Sequence, residues 1–283
     1  AKVVYACFNH HKYGDFRPYV YKSTDKGRSW TSITANLPER GSSYAIAEDH
    51  EDPSLLFVGT EFGVFFSNDG GKHWKQLKAG VPTIAVRDLA IQQRENDLVL
   101  GTFGRGFYVL DDYSVLRSMG ETELQQEAVL YPVREALAYE EALPLGLPGK
   151  SFQGDNFYTG ENLGPAALFT FYLKEDVKSL QEQRREREKK MMEEGKDPVY
   201  PTYKELKAER EEEAPSLLLT VKDGEGRVVR KLTAPAKKGL HRVPWDLRYA
   251  TTRPVRLREP DFYNPWGAQY IGTLAEPGDY TVT

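Results

Sequence analysis

The chain has 283 residues, a formal net charge of −4, and 40% hydrophobic and 28% charged residues, the composition of soluble globular material with length for two domains. Its 24 Gly and 17 Pro predict many turns between short elements and argue against a helical bundle. No apolar run approaches the ~20 residues of a helical membrane span, and the mild acidity argues against a nucleic-acid partner, which needs a basic face.

Taken in chain order, the opening Val3-Val4-Tyr5-Ala6-Cys7-Phe8 reads as a strand. Cys7, the single cysteine, excludes an intrachain disulfide framework and reads as a buried apolar thiol rather than a nucleophile. The start at Ala1 without Met, and an alternation still running at Asp279-Tyr280-Thr281-Val282-Thr283, lead to the expectation that the chain is a fragment.

A repeat follows. Tyr19-Val20-Tyr21-Lys22-Ser23-Thr24-Asp25-Lys26-Gly27-Arg28-Ser29-Trp30 aligns with Gly63-Val64-Phe65-Phe66-Ser67-Asn68-Asp69-Gly70-Gly71-Lys72-His73-Trp74, which places Trp30 and Trp74 44 positions apart. Asn36-Leu37-Pro38 matches Gly80-Val81-Pro82 at the same offset, and Leu56 to Thr60 recurs as Leu98 to Thr102 at an offset of 42. A third copy, Gly106 to Asp112, keeps the strand and loses the turn. Short alternating strands at a period near the ~40–45 residues of a four-stranded blade predict a partial β-propeller of about two to three blades over residues 1–117.

In the repeated Ser-x-Asp-x-Gly-x-x-Trp turn, Ser23, Asp25, Gly27 and Trp30 correspond to Ser67, Asp69, Gly71 and Trp74. The aspartates can accept backbone N–H bonds, the glycines can take a positive φ, and the tryptophans can fill the gap between sheets, so these residues read as structural. The turn resembles the Asp-box of BNR-repeat propellers, a superfamily that includes sialidases, xyloglucanase-like glycosidases and sortilin-type receptor domains. Together with Gly59 to Val64, Val86 to Ala90, Gly104 to Asp112 and Gly239 to Tyr249, it looks like the C-terminal part of large exported bacterial proteins described as BNR-repeat glycosyl hydrolases or sortilin-like. The resemblance implies a secreted, periplasmic or cell-surface location and further blades upstream as partners.

Residues 118–165 lack a period and read as a connector packed on the propeller. Ala166 to Leu173 and Leu217 to Lys222 read as strands continuing one sheet, Asp223-Gly224-Glu225-Gly226 as a hairpin turn, and Arg227 to Leu232, Gly239 to Leu247 and Tyr280 to Val282 as further strands. Residues 166–283 therefore predict an immunoglobulin-like sandwich, resembling a FlgD-type module. It carries a helical insertion over 175–213, where Ser179-x-x-Glu182 and Thr202-x-x-Glu205 are capping boxes and mixed charges predict a solvated helix pair.

In a propeller blade the turn between the third and fourth strands lies at one end and the ligand-binding loops at the other. That loop face would collect Tyr13, Asp15, Arg17, Phe62, Arg87, Phe103 and Arg105 as ligand-binding candidates, because rings stack on pyranose faces and charges fix hydroxyls or carboxylates. Glu61 and Asp88 are the available pair for a glycosidase acid and nucleophile or base, with a plain alternative in which Arg87 and Asp88 tie the blade edges together by ion pairs and hydrogen bonds. His10-His11 with Asp15 reads as a polar hairpin tip rather than a metal site, and no cofactor is expected. Gly104-Arg105-Gly106 joins two strands and is no nucleotide loop. Three readings follow: a glycan- or peptide-binding scaffold module, a glycoside hydrolase using paired carboxylates, and a sortilin-like peptide-binding propeller.

Overall fold

The structure, a computed structural model, describes residues 2–78, 80–139, 166–254 and 271–283. The chain is mainly β and divides into two compact units, Ala1–Glu123 and Leu124–Thr283.

The first unit holds three antiparallel sheets. The first is β1 (Val4–His10), β2 (Asp15–Ser23) and β3 (Thr31–Ser32) in that order. The second is four-stranded: β4 (Ser43–Glu48), β5 (Leu56–Thr60), β6 (Gly63–Ser67) and β7 (Lys75–Leu77). The third is β8 (Val86–Gln92), β9 (Asp97–Thr102) and β10 (Phe107–Leu110), paired β10-β9-β8. Repeated sequence has become repeated structure, for β2 and β6 are the aligned strands, as are β5 and β9.

Every residue of β5 and β6 is buried. A strand covered on both faces reads as a continuous apolar run instead of an alternation, as Leu56-Phe57-Val58 and Val64-Phe65-Phe66 do. Val20 and Leu37 pack with Leu56, Val58, Phe65 and Trp74 in one core between the first two sheets. Gly59 admits the third sheet, since a Cβ there would lie 2.6 Å from the Val86 carbonyl oxygen. Cys7 is half-buried in β1, less covered than its apolar neighbours suggested, and burial pushes its thiol pKa up.

After β10, Asp112 caps a short 3-10 helix (Tyr113–Arg117) by accepting from the Ser114 N–H. A helix α1 (Glu121–Gln125) follows.

Among its described residues the second unit has two three-stranded antiparallel sheets. One is β11 (Ala128–Leu130), β12 (Ala167–Leu173) and β15 (Gly239–Trp245); the other is β14 (Val228–Pro235), β13 (Ser216–Lys222) and β16 (Thr281–Val282). Phe169, Phe171 and Trp245 from the first share a core with Leu219, Val221 and Val229 from the second. Two sequence expectations change here. β12 and β13 stand in different sheets rather than continuing one, because their apolar faces meet across the core. Residues 128–130, expected to be connector, supply a strand to the β12 edge. The rest of that connector, over 140–165, lies outside the described residues.

The insertion forms α2 (Leu180–Glu193) and α3 (Tyr203–Glu211), each opened by a complete capping box at Ser179/Glu182 and Thr202/Glu205. Neither helix buries a residue. The pair is joined by charge: the Arg184 Nε donates to Glu209 Oε1 at 2.6 Å, and its Nη1 to Glu188 at 2.7 Å.

Candidate functional site

The two repeated turns close in the same way. In the first, the Ser23 Oγ donates to Asp25 (2.8 Å), which also accepts from the Arg28 and Ser29 amides at 2.9 Å and from the Ser29 Oγ at 2.7 Å. In the second, Asp69 accepts from the Ser67 Oγ (2.6 Å) and the Lys72 and His73 amides (2.9 and 3.0 Å). Gly27 and Gly71 stand at φ 86° and 92°, where a Cβ is strained, and at Gly71 it would also meet Ile33 at 3.0 Å. The hydrogen bonds that both aspartates make among the described residues all close on their own turn, which is a structural use of the carboxylates.

The tryptophans part company. Trp74 is 4% exposed, with its Nε1 donating to the Ile33 carbonyl (2.8 Å) and its amide to Asn36 Oδ1 (2.7 Å). Trp30 is 43% exposed and donates within its own turn, to Gly27. What covers Trp74 is the segment leading into its sheet, and no such segment lies over Trp30 among the described residues.

At the other end of the strands the loops form one rim. The Gly41 amide donates to Phe16 O (2.9 Å), Glu61 to Ser42 O (3.0 Å) and Phe103 to Ala85 O (2.9 Å). Ser43, fully buried, ties the second sheet to the first: its Oγ accepts from the Tyr19 amide and lies within donating distance of the Tyr19 (2.9 Å) and Phe8 (3.1 Å) carbonyls, which share its one proton. An open hollow of about 520 Å³ lies against Tyr13, Asp15, Phe16, Arg17, Glu39 and Arg40. Within it Arg17 grips Asp15 through two N–H donors (2.8 and 3.0 Å), and the Tyr19 hydroxyl donates to the same carboxylate at 2.5 Å. The Arg17 guanidinium, then Tyr19, hold the Asp15 carboxyl well below the usual carboxylate range, so Asp15 is an ionised acceptor and no proton donor.

Tyr13, Phe62 and Phe103 are exposed on this rim. Arg105 is exposed in the β9–β10 loop. Arg87 makes no ion pair with Asp88; it lies over two rings, Tyr44 (3.9 Å) and Phe103 (5.2 Å). Asp88 turns its carboxylate onto the Leu89 amide at 2.9 Å. Among the described residues neither Arg87 nor Asp88 makes an ion pair, and the Asp88 hydrogen bond stays within its own strand. Among the described residues no hydrogen bond or ion pair joins Glu61 to Asp88. His10 stacks edge-on to Tyr13 and His11 bonds Asn9, and among the described residues no group of three or more His, Cys, Asp or Glu is placed to hold a metal.

Sequence reasoning missed Tyr44 and a buried ionic network. Asp49, 3% exposed, receives two donors from Arg117 (2.7 and 2.8 Å) and one from the Tyr113 hydroxyl (2.5 Å). Burial works to raise the Asp49 pKa, but Arg117 and Tyr113 outweigh it and hold the carboxylate ionised. Asp49 and Arg117 are 68 positions apart with no motif between them. Tyr44 did leave a signal, for it sits at the repeat position of Arg87.

No family model matches the chain, and no curated protein matches it. Among solved structures it is similar to the GH74 xyloglucanase from Xanthomonas campestris, at 18% identity over 39% of this chain, with a TM-score of 0.31. The match spans 20% of that enzyme's length. A likeness of this size leaves any functional reading to the residues themselves. Among the described residues no helix is long and apolar enough to cross a membrane.

Proposed function

We propose that the chain is part of an exported bacterial protein in which Asp-box propeller blades precede an Ig-like sandwich, and that the loop rim of those blades binds carbohydrate without cleaving it. The blade reading is supported by the 42–44-residue repeat and by a complete four-stranded sheet between two three-stranded ones. The sandwich reading is supported by two sheets sharing one core. Further blades upstream would be the partners that complete the ring.

The observation that carries the binding reading is the rim, where exposed Tyr13, Phe16, Phe62 and Phe103 stand among Arg17, Arg87 and Arg105. Exposed rings offer flat apolar faces to the C–H faces of a sugar, and guanidinium groups donate to its hydroxyls. Cleavage asks for two carboxylates facing each other across a scissile bond. Asp15 is spent on Arg17 and Tyr19, and Asp88 turns its carboxylate onto the Leu89 amide.

Affinity electrophoresis in gels containing individual polysaccharides, with a reducing-end assay alongside, tests this. The chain is expected to be retarded in at least one gel, to lose that retardation when Tyr13→Ala and Phe103→Ala are combined, and to release no reducing ends. Sugar release abolished by Glu61→Gln or Asp88→Asn would replace it with the glycosidase reading. Retention on immobilised peptides with no glycan bound would favour the sortilin-like one.

A further inference from the structure

Two successive sheets carry a bulge at the same place. The pairing of β4 with β5 slips between Ser43 and Ala45, and that of β8 with β9 between Val86 and Asp88. The extra residues are Tyr44 and Arg87, 43 positions apart in a chain whose other repeats fall at 42 to 44. A bulge lifts its extra side chain out of the strand's alternation and re-aims it. Here the two re-aimed side chains meet, with the Arg87 guanidinium carbon 3.9 Å from the centre of the Tyr44 ring. Phe103 approaches the same guanidinium at 5.2 Å, on a loop anchored by the hydrogen bond from its backbone N–H to the Ala85 carbonyl.

Ring contacts engage the faces of a guanidinium and leave the N–H donors along its edge unspent. Arg87 makes no hydrogen bond or ion pair among the described residues, and Asp88 directs its carboxylate to the Leu89 amide instead. The donors are therefore free while the side chain is already held, which lowers the ordering cost of a ligand. We propose that Arg87, clamped by Tyr44 and Phe103, is a subsite for the carboxylate of an acidic sugar, an inference that rests on the carbohydrate-binding reading above. A planar carboxylate accepts two parallel N–H bonds from the guanidinium edge. The sugar ring carrying it lies against Phe103, which is 67% exposed. The net charge of −4 makes the chain a poor general binder of polyanions, so attraction has to be local and geometric.

The test is titration calorimetry of the chain with oligogalacturonate and with its fully methyl-esterified form, using polyglutamate and dextran sulfate as competitors. The free acid is expected to bind about tenfold more tightly than the ester, the worth of a charge-assisted hydrogen-bonded contact. Arg87→Gln should abolish that preference, bringing the free acid and the ester to equal affinity, and Arg87→Lys should restore only part of it. Arg87 is exposed, so an unchanged thermal midpoint for each variant establishes that it is folded. Equal binding of acid and ester, or a preference that survives Arg87→Gln, overturns the subsite and leaves the carbohydrate reading standing. Binding of no glycan at all overturns both. Displacement by polyglutamate or dextran sulfate as effective as by oligogalacturonate itself would mean a general anion site and overturn the sugar assignment.

Discussion

Asp25 and Asp69 each sit at the centre of a turn whose donors all point inward. The Ser29 hydroxyl and amide bring Asp25 down to about 2 from an ordinary 3.8. At Asp69 partial burial pulls upward, but bonds from Ser67 and His73 prevail, again giving about 2. Both folded values lie below the unfolded one, so the stability these carboxylates contribute is complete above about pH 5 and decays as the pH falls towards 2. Asp69→Asn should therefore cost about 1 kcal/mol at neutral pH, and its thermal midpoint should converge on the wild-type value in acid. A gap that stays constant from pH 7 to pH 2 would mean that the charge is not what holds the turn. The serine, aspartate and glycine of this turn could be read directly because every partner lies within four residues. Asp49 could not, since its partners Tyr113 and Arg117 reach it only after the strands between have folded.

Among the elements, the repeat predicted strands well and the surroundings of its tryptophans poorly. Trp30 and Trp74 occupy the same place in the same turn, yet one is half-exposed and the other sealed by Ile33 and Asn36. Trp74→Ala should cost about 3 kcal/mol, the loss of a large buried ring, and Trp30→Ala less than about 1 kcal/mol. Urea unfolding of the two variants side by side checks this, and equal costs would show that the cover over Trp74 contributes nothing. The helix pair was legible for the opposite reason: capping boxes are local, and both appear as expected at Ser179 and Thr202. The division of β12 and β13 between two sheets was not legible, because an apolar alternation states that a strand has a buried face and not which strand lies beside it.

At the scale of the whole unit, β1 and β10 are edge strands, with one strand neighbour each among the described residues. Phe8 on β1 and Phe107 and Val109 on β10 are exposed at those edges, at 56%, 80% and 53%. Unpaired N–H and C=O groups beside apolar side chains are a template for a further strand. The chain is expected to associate reversibly with rising concentration in sedimentation velocity runs, and Phe107→Lys with Val109→Lys should weaken that association. A single monomeric boundary at every concentration would refute it. The edges are intelligible from the repeat: the second sheet has four strands where its neighbours have three, so β1 lacks the neighbour that β4 gives β5, and β10 lacks the one that β7 gives β6.

The sequence by itself determined the repeat, the two aspartate turns, the strand-rich character of both units and the capped helix pair. Each depends on contacts within a few residues or on a period that survives without a partner. Tertiary structure decided which tryptophan is buried, which strands share a sheet, and that Arg87 lies over the rings of Tyr44 and Phe103. Those outcomes turn on bulges, on cross-sheet approach and on segments tens of residues apart, where the energy of a contact exists only once the chain has brought both sides together.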